Sequence, residues 1–387
     1  MPNYKITYGG WYQRTTLHLS EIYNFFAHAH TYTELPKEKL EKLRESLKLT
    51  HVSREVGYLE YVKATSGEGI EVRYYEDGLY ILELTSTDIL ASKKLLEDYF
   101  ENVFNPALSY LFSLGAPTPK VLANIKISHP TVVSFEDPKP ASFTIDKEQF
   151  GEVYSKIDSP DVTVYKTHKF IFIVAKRAET ASDLVEMQIF FREFKDQLEK
   201  YLHIHRKVWE EIADIKERKV VKGAEVEKIR GQLDRYQKTI NLINNRINQM
   251  GIYVATRSSI SKKLEVEEKL STLFQYKFET LDDTHAYIKE LWAMTKDYLA
   301  SAIQILVELE GKSTGKQISS LTAITTIGVV ASILSYMTNK TFPAITGFGV
   351  IYFLILLALT YLINAAIRFA YQQIRYKLTI PDTEKNI

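Results

Sequence analysis

A row of small and hydroxyl-bearing residues near the C-terminus has the spacing of one helix face. Its members follow one another in steps of three and four: Asn339, Ser335, Ser332, Gly328, Thr325, Leu321 and Ile318. Such steps place side chains on one side of an α-helix. Two interpretations fit: close packing between membrane helices, or the lining of a water-filled pore that Leu321 and Ile318 constrict. In a pore, the Asn339 carboxamide would hydrogen-bond the water around a hydrated ion.

Two long segments without charge must position this row. They are Gln317–Asn339 and Thr341–Ile367, and only Lys340 separates them. A helix needs about 20 mostly apolar residues to cross a bilayer, so each segment is long enough. The second is apolar on all sides around Ile351–Leu359, which suits contact with lipid. The sequence therefore predicts a hairpin of two transmembrane helices.

The distribution of basic residues predicts the orientation of the hairpin. The residues that flank it outside the connecting loop are Lys312, Lys316, Arg368, Arg375 and Lys377. Because basic residues concentrate on the cytoplasmic side, both termini should be cytoplasmic. No signal peptide opens the chain, and it contains no cysteine. We expect a multi-pass protein of the cell (inner) membrane.

Composition and motifs disfavour several other classes of function. With 49 basic and 48 acidic residues, no global charge favours binding to a nucleic-acid polymer. No nucleophile–base pair or pair of catalytic carboxylates stands out, so we expect no enzyme. The pairs His28/His30 and His203/His205 are spaced for a metal only on a strand. The glycines of Ser66–Gly69 predict a turn.

Prolines divide the chain into a first part with strands and a second part that is mostly helical. Nine of the eleven prolines lie between Pro2 and Pro160, and none lies between Pro160 and Pro343. Strands are predicted near residues 4–8, 51–64, 69–75, 79–85, 121–127, 153–157 and 162–175, with a helix near 87–114. A hairpin turn is predicted at Glu76-Asp77-Gly78. This pattern indicates an α+β domain.

Three long helices are predicted after residue 180. The first covers about 182–222 and ends at Gly223; the second covers about 224–250 and ends at Gly251. The second helix has a heptad seam typical of a coiled coil: Ile229, Leu233, Tyr236, Ile240, Ile243 and Ile247. The third would run without a break from about Ser261 to Ser335. Its apolar stripe needs partners and comprises Tyr287, Leu291, Met294, Tyr298, Ala302, Ile305 and Leu309.

These features together resemble the CorA family of magnesium channels. The chain has Leu321-Thr322-Ala323-Ile324-Thr325-Thr326-Ile327 where that family has a pattern close to L-T-x-I-x-T-I, at the start of its first membrane helix. It has Tyr336-Met337-Thr338-Asn339 where the family has Y-G-M-N. The likeness covers roughly the last 130 residues. The glycine of the Gly-Met-Asn triplet is missing, Thr338 separates Met337 from Asn339, and Lys340 replaces the acidic residues common in family loops.

The resemblance implies a funnel-shaped homopentamer. It would comprise an N-terminal domain at residues 1–178, a helical bundle and stalk at 179–316, the transmembrane hairpin at 317–370 and a cytoplasmic tail at 371–387. The first membrane helices would line the pore, with Tyr336–Asn339 as the signature loop and Mg²⁺ or another divalent cation as the transported ion. The family senses divalent cations through acidic residues, for which Asp282, Asp283, Glu265, Glu267 and Glu268 are candidates. No tightly bound cofactor is expected.

Two alternatives stay open. The altered triplet and Lys340 suit a membrane effector on the same scaffold, whose N-terminal domain senses a small cytosolic ligand such as a nucleotide messenger and permeabilises the membrane. A third hypothesis is a membrane-anchored scaffold that does not conduct ions.

Overall fold

The computed structural model describes residues 3–12, 18–32, 35–112, 130–218, 220–338 and 375–377, with a few separate residues between 351 and 369. The chain forms two compact units. The first comprises residues 1–204 and 242–291, and the second comprises residues 205–241 and 292–387.

The first unit is built on a nine-stranded mixed sheet with the strand order β2-β3-β4-β5-β1-β6-β9-β8-β7. Its neighbouring strands are antiparallel except for β6 and β9, which are parallel. The strands are Tyr4–Trp11 (β1), Leu49–Val56 (β2), Glu60–Ser66 (β3), Glu71–Tyr75 (β4), Leu79–Ser86 (β5), Thr131–Glu136 (β6), Ser155–Asp158 (β7), Val162–Lys166 (β8) and Phe170–Ala175 (β9).

Helices cover both faces of this sheet. Within the described residues, five short helices pack on one face: Leu19–His28 (α1), Lys37–Leu47 (α2), Ile89–Tyr99 (α3), Asn105–Phe112 (α4) and Lys147–Phe150 (α5). Strand β1 alternates between the two faces, as the pleat requires. Ile6 belongs to the core formed with α1 to α4, whereas Trp11 stacks on Phe194 of the following long helix. The α+β fold predicted for the N-terminal part is confirmed.

Most predicted strands and the predicted hairpin are present, but two predicted strands and the predicted helix are divided. The β4–β5 hairpin turns at Gly78, whose φ of 90° is open to glycine at little cost. The strand predicted at 51–64 is two strands, because residues 57–59 turn, and the one predicted at 162–175 divides at residues 167–169. A turn of π-helix at Phe100–Phe104 divides the helix predicted at 87–114. The strand predicted at 121–127 lies outside the described residues.

Four helices follow the sheet within the continuous described ranges up to residue 338. They are Ala178–Lys216 (α6), Gly223–Lys263 (α7), Glu267–Phe274 (α8) and Phe278–Thr338 (α9). The heptad seam predicted for α7 is confirmed, because Ile229, Leu233, Ile240, Ile243 and Ile247 are all buried and Tyr236 is half-buried. Its steps of three and four continue through the buried residues Met250, Val254, Arg257 and Ser261.

Three predicted helix boundaries are wrong. The first long helix ends at Lys216, and Val220–Lys222 forms a short strand, β10, before α7 begins at Gly223. Gly251 does not end α7. A Cβ at that position would lie 3.0 Å from the ring of His285, so the glycine permits close packing inside a continuous helix. The last helix begins at Phe278, because the preceding helix α8 ends at Phe274 and Gln275 adopts the left-handed conformation.

Candidate functional site

The predicted row of hydroxyl and small residues lies on the last part of α9, a helix of 61 residues. Four of its members, Ser332, Gly328, Thr325 and Ile318, are exposed. Leu321 and Ser335 lie in the same helix. At 1.5 Å per residue, α9 is about 90 Å long. The helical spacing behind the predicted row is therefore confirmed, and Asn339 lies outside the described residues.

The residues predicted as a signature loop are helical up to Thr338. Tyr336, Met337 and Thr338 belong to the last turn of α9, so their placement in a loop was wrong. The physical reason is that no helix-breaking residue occurs before Pro343, and each backbone N–H up to Thr338 has a carbonyl four residues earlier to bond.

The hydroxyls on this part of α9 bond back to their own helix. The Thr322 hydroxyl donates to the carbonyl oxygen of Ile318 at 2.8 Å, and Thr326 donates to Thr322 at 2.7 Å. Ser332 donates to Gly328 at 2.8 Å. Because each hydroxyl has one hydrogen to donate, the outward side of the oxygen offers lone pairs only. These oxygens can accept hydrogen bonds from water or approach a cation.

A short strand after the second charge-free segment pairs with the strand that precedes α7. Arg375–Lys377, β11, pairs antiparallel with β10 in a two-stranded sheet. The central residue of β10, Val221, is 2% exposed and shares an apolar cavity with Ile215, Ile229 and Leu306. The chain thus passes the cavity beside Val221 in α9, at Leu306, and lies next to Val221 once more at Tyr376. Sequence reasoning missed this pairing because three-residue strands carry no periodic signal.

Exposed apolar side chains accompany both charge-free segments. In α9 they include Val329 and Val330, and in the described residues of the second segment they include Ile351, Leu354 and Leu362. Within the parts of the chain that the structure describes, no helix combines the length and the apolar character that crossing a membrane requires. The transmembrane topology stays a prediction.

The apolar stripe predicted for the last helix is not the face that the chain itself buries. The buried face of α9 consists of Leu281, His285, Ile288, Trp292, Thr295, Leu299, Ala302 and Leu306. Tyr287 and Met294 of the predicted stripe stay 56% and 57% exposed. Ala302 alone belongs to both sets. Tyr287 and Met294 are therefore the members of the predicted stripe that stay exposed, whereas Tyr298 and Ile305 are half-buried.

Contacts between aromatic rings join α9 to α6 inside the second unit. The rings of Trp209 and Tyr298 are stacked with centroids 4.5 Å apart, and the Lys216 ammonium lies 4.1 Å from the Tyr298 ring centroid. His205 contacts the Trp209 and Trp292 rings edge-on or tilted. Burial raises the pKa of Tyr298. These contacts give His205 a packing role in α6.

A buried ionic network holds α7 against the sheet inside the first unit. Arg257 is fully buried and donates through Nε to Asp77 Oδ2 at 2.6 Å. It also donates to Glu186 of α6, whose second carboxylate oxygen accepts from the Tyr75 hydroxyl at 2.6 Å. Burial alone would lower the pKa of Arg257, but the two carboxylates outweigh it and raise the pKa. Asp77 also accepts from the Leu79 amide at 3.1 Å, which ties the network to the β4–β5 turn.

The connection between α1 and α2 lines a cavity of about 640 Å³. Its walls include Asn24, His28, His30, Tyr32 and Lys37. This volume lies in the usual range for small-molecule sites. The cavity is lined by both His28 and His30, and its other described walls carry amide, phenol and ammonium groups. Among the described residues, no group of three or more metal-ligand side chains forms there.

The acidic candidates do not converge on a metal position. Asp282 and Asp283 are exposed near the start of α9, whereas Glu267 and Glu268 begin α8. In the part of the chain that the structure describes, no group of three or more His, Asp or Glu side chains is arranged to hold a metal ion. The sensing role that the resemblance implies for Asp282 and Asp283 stays a prediction.

The fold and these placements define a chain in which an α+β unit continues into long helices, the last of which carries a face of hydroxyl groups. No protein-family model matches the chain, and no curated protein matches it. Among solved structures it is similar to the CorA magnesium transporter of Methanocaldococcus jannaschii, at 12% identity and a TM-score of 0.27. The match covers 64% of this chain and 92% of that one. A TM-score at this level does not establish a shared fold.

Proposed function

We propose that the chain is a homo-oligomeric membrane channel for divalent cations, with Mg²⁺ as the transported ion and the α+β unit as the gating element. The β10–β11 pairing carries this proposal. From Leu306, which lines the same cavity as Val221, α9 continues for about 48 Å to Thr338. The second charge-free segment follows, and after it β11 pairs with β10. An out-and-back path through two charge-free segments is what a transmembrane hairpin with both ends on one side requires.

The hydroxyl chemistry of α9 supports cations as the transported ions. Ser332 of the predicted row donates its hydrogen to the Gly328 carbonyl of its own helix. Thr322 and Thr326, which lie beside the row, bond their own helix in the same way. A ring of such residues from several copies would present oxygen lone pairs to the pore, which suit a hydrated cation better than an anion. Magnesium keeps much of its water shell, so hydrogen-bond acceptors around a wide pore fit it. The motif resemblance at Leu321–Ile327 and Tyr336–Asn339 supports Mg²⁺ among the divalent ions.

The exposed residues Tyr287 and Met294 of α9 support self-association. Tyr287 and Met294 are large apolar side chains on a long helix that has already buried another face. Copies of the same helix, packed side by side, would cover them and would bring the hydroxyl faces together around an axis. Five copies are expected if the family resemblance extends to assembly. A monomer in mild detergent, measured by mass photometry, would contradict this part of the proposal.

Topology is the first test. The chain has no cysteine, so a single cysteine introduced at Thr341 or at Glu101 is the only thiol that can be labelled. Its labelling shows on which side of the membrane that residue lies. In intact cells, a membrane-impermeant maleimide should label Thr341→Cys and should reach Glu101→Cys only after lysis. Labelling of Glu101→Cys from outside would reverse or refute the proposed topology.

Ion flux into proteoliposomes is the decisive test. The parent chain should conduct Mg²⁺ and other divalent cations faster than K⁺. Asn339→Leu should abolish this ion preference and leave assembly intact, because it removes the oxygens at the pore mouth. Leu321→Ser should raise basal flux by wetting the constriction. Lys340→Glu should increase cation flux, most of all at low salt, where screening is weak.

The second segment provides a matched control. Asn364→Leu makes the same chemical change in the segment expected to face lipid, so it should leave ion preference as in the parent. If Asn339→Leu also conducts with the parent's preference, the pore assignment is wrong and the hydroxyl row is a packing surface.

The ligand-sized cavity at the α1–α2 connection favours a second candidate function, a membrane effector that a small cytosolic ligand triggers. The same liposomes distinguish it. Release of an entrapped dye such as carboxyfluorescein, without preference among ions, would indicate the effector. Absence of both dye release and ion flux in correctly oriented oligomers would indicate a scaffold that does not conduct.

A further inference from the structure

A cavity of about 230 Å³ lies in the first unit between the end of α2, the β3–β4 turn and α3. Hydrogen bonds join its walls. The Gly67 amide of the turn donates to the Lys48 carbonyl at 3.0 Å, and the Tyr99 hydroxyl of α3 donates to the Leu47 carbonyl at 2.9 Å. The volume is about seven times that of one water molecule in the liquid. The cavity therefore has room for a small organic molecule.

A turn of π-helix forms part of the wall. This turn, Phe100–Phe104, directly follows Tyr99. Tyr99 and Val103 both line the cavity, together with Leu95. Single turns of π-helix inside α-helices occur frequently at functional sites. The two apolar side chains, Leu95 and Val103, give the cavity a surface that suits an aliphatic group.

Lys48 has a backbone conformation that is unfavourable for lysine. It caps α2 with a φ of 49°, in the left-handed region that favours glycine. Its ammonium group lies 3.9 Å from Glu68 Oε1, and both side chains are exposed to solvent. Such a pair contributes little to stability. The left-handed lysine therefore points to a use of its ammonium group beyond this ion pair.

The cavity offers two donors. The amides of Glu68 and Ile70 donate to Ser66 Oγ at 3.2 and 3.1 Å. Ser66 is only 4% exposed, and no residue that the structure describes accepts the hydrogen of its hydroxyl group. The Lys48 ammonium is the second donor, because its distance from Glu68 leaves hydrogens free.

The cavity also offers acceptors. Asp98 lines it, and in the described part of the chain no basic side chain pairs with this carboxylate. The Ser46 hydroxyl donates to the Leu43 carbonyl at 2.6 Å, so its oxygen presents lone pairs to the cavity. The Glu68 carboxylate is the third acceptor. Donors and acceptors of opposite charge therefore share one small space with an apolar surface.

We propose that this cavity binds a small α-amino acid with an apolar side chain, in its zwitterionic form. The carboxylate of the ligand would accept from Lys48 and Ser66, and its ammonium group would donate to Asp98 and Glu68. Its side chain would lie on the apolar surface. A zwitterion satisfies both sets of groups at once, whereas an amine leaves the donors unused and a carboxylate leaves the acceptors unused.

Isothermal titration calorimetry of the full chain in mild detergent tests the proposal. L-Leucine is the first probe, and the other standard L-amino acids follow. Isopentylamine is leucine without its carboxylate, and 4-methylpentanoate is leucine without its ammonium group. L-Leucine should bind once per chain. Each of the two fragments should bind at least roughly tenfold more weakly, because it loses charge-assisted hydrogen bonds.

Two results would overturn the proposal. One is that no standard L-amino acid binds at millimolar concentration, and the other is that either fragment binds as tightly as L-leucine. The measurement needs no bilayer, so it tests the cavity independently of the proposed channel function.

Replacement of Lys48 by glycine separates binding from folding. Lys48→Gly should raise the melting temperature, because glycine adopts the left-handed conformation freely, and should weaken L-leucine binding at least roughly tenfold. His51 provides the matched control, because it is also left-handed, with a φ of 51°, and is exposed. His51→Gly should keep the parent's affinity.

Replacement of Asp98 tests the ammonium contact. Asp98→Asn should weaken L-leucine binding and leave 4-methylpentanoate binding as in the parent. Glu38→Gln removes a charge of the same sign at an exposed position of α2 and should keep the parent's affinity for L-leucine. Parent-like affinity in both Lys48→Gly and Asp98→Asn would overturn the assignment of the site.

Discussion

Replacement of Arg257 by methionine should open the junction between α7 and the β4–β5 turn. The arginine is fully buried, and its guanidinium bonds the carboxylates of Asp77 and Glu186. Asp77 is also nearly inaccessible, since its side chain is 3% exposed. Methionine nearly preserves the volume and the packing of the side chain. It leaves two carboxylates facing each other without a counter-ion.

The burial of this ionic network determines how much stability the replacement of Arg257 should cost. Removal of one partner of a buried ion pair typically costs about 3–5 kcal/mol, because the remaining charge is left without compensation. Arg54 offers the contrast, since it pairs with Glu60 on the surface with both side chains more than a third exposed. Arg54→Met should cost less than about 1 kcal/mol. Addition of Asp77→Asn to Arg257→Met should recover part of the loss, because one uncompensated charge disappears.

Hydrogen exchange of the β4 and β5 amides measures this effect in the full chain. Local opening is the suitable quantity, since a chain with two compact units need not unfold in one step. Arg257→Met should lower the opening free energy of these amides, and Arg257→Lys should lower it less because the charge remains. Equal effects of Arg257→Met and Arg54→Met would refute the reasoning, and so would a failure of Asp77→Asn to recover any of the loss.

Three further predictions concern a half-buried carboxyl, a helical glycine and two exposed apolar residues of α9. Burial, followed by the neighbouring Glu186 and Glu179 carboxylates, raises the pKa of the Asp183 carboxyl above the usual range for aspartate. Its contribution to stability is present below that range and is lost as pH rises through the folded-state pKa. Asp183→Asn should therefore raise the melting temperature at about pH 7 and leave it unchanged at about pH 3, and an equal gain at both would contradict this. Gly251→Ala should lower the melting temperature, because crowding against the His285 ring costs about 1–3 kcal/mol and exceeds the gain of about 1 kcal/mol in helix propensity; a stabilised variant would show that the ring yields freely. Tyr287→Gln with Met294→Gln should shift the oligomer towards monomer in mass photometry while far-UV circular dichroism stays as in the parent, whereas an unchanged oligomer would place the interface elsewhere.

Local periodicity was enough to predict much of this fold. The pairing of β4 with β5 through Gly78 follows from turn chemistry and alternating residues, which act over a few positions. The α7 seam from Ile229 to Ile247 follows from the steps of three and four alone. The charge-free segments and the hydroxyl row on α9 are likewise properties of neighbouring residues. Each of these features depends only on residues that are close to one another in the sequence.

Contacts between distant residues decided the rest. Arg257 continues the α7 seam at a position where an apolar residue is expected, and its partners lie 180 and 71 residues away, at Asp77 and Glu186. Nothing near Arg257 in the sequence announces a buried cation. In the sequence, Gly251 has the features of a helix end. Its role in close packing becomes visible only when His285 is seen against α7.

The clearest case is the pairing of β10 with β11. Three residues are too few for a periodic signal, and the strands lie on opposite sides of the entire hairpin in the sequence. The charge-free segments and the basic residues that flank them can be read directly from the amino-acid sequence. The pairing of the tail with β10 becomes visible only in three dimensions, because strand pairing depends on which backbones meet in space rather than on the residues beside them.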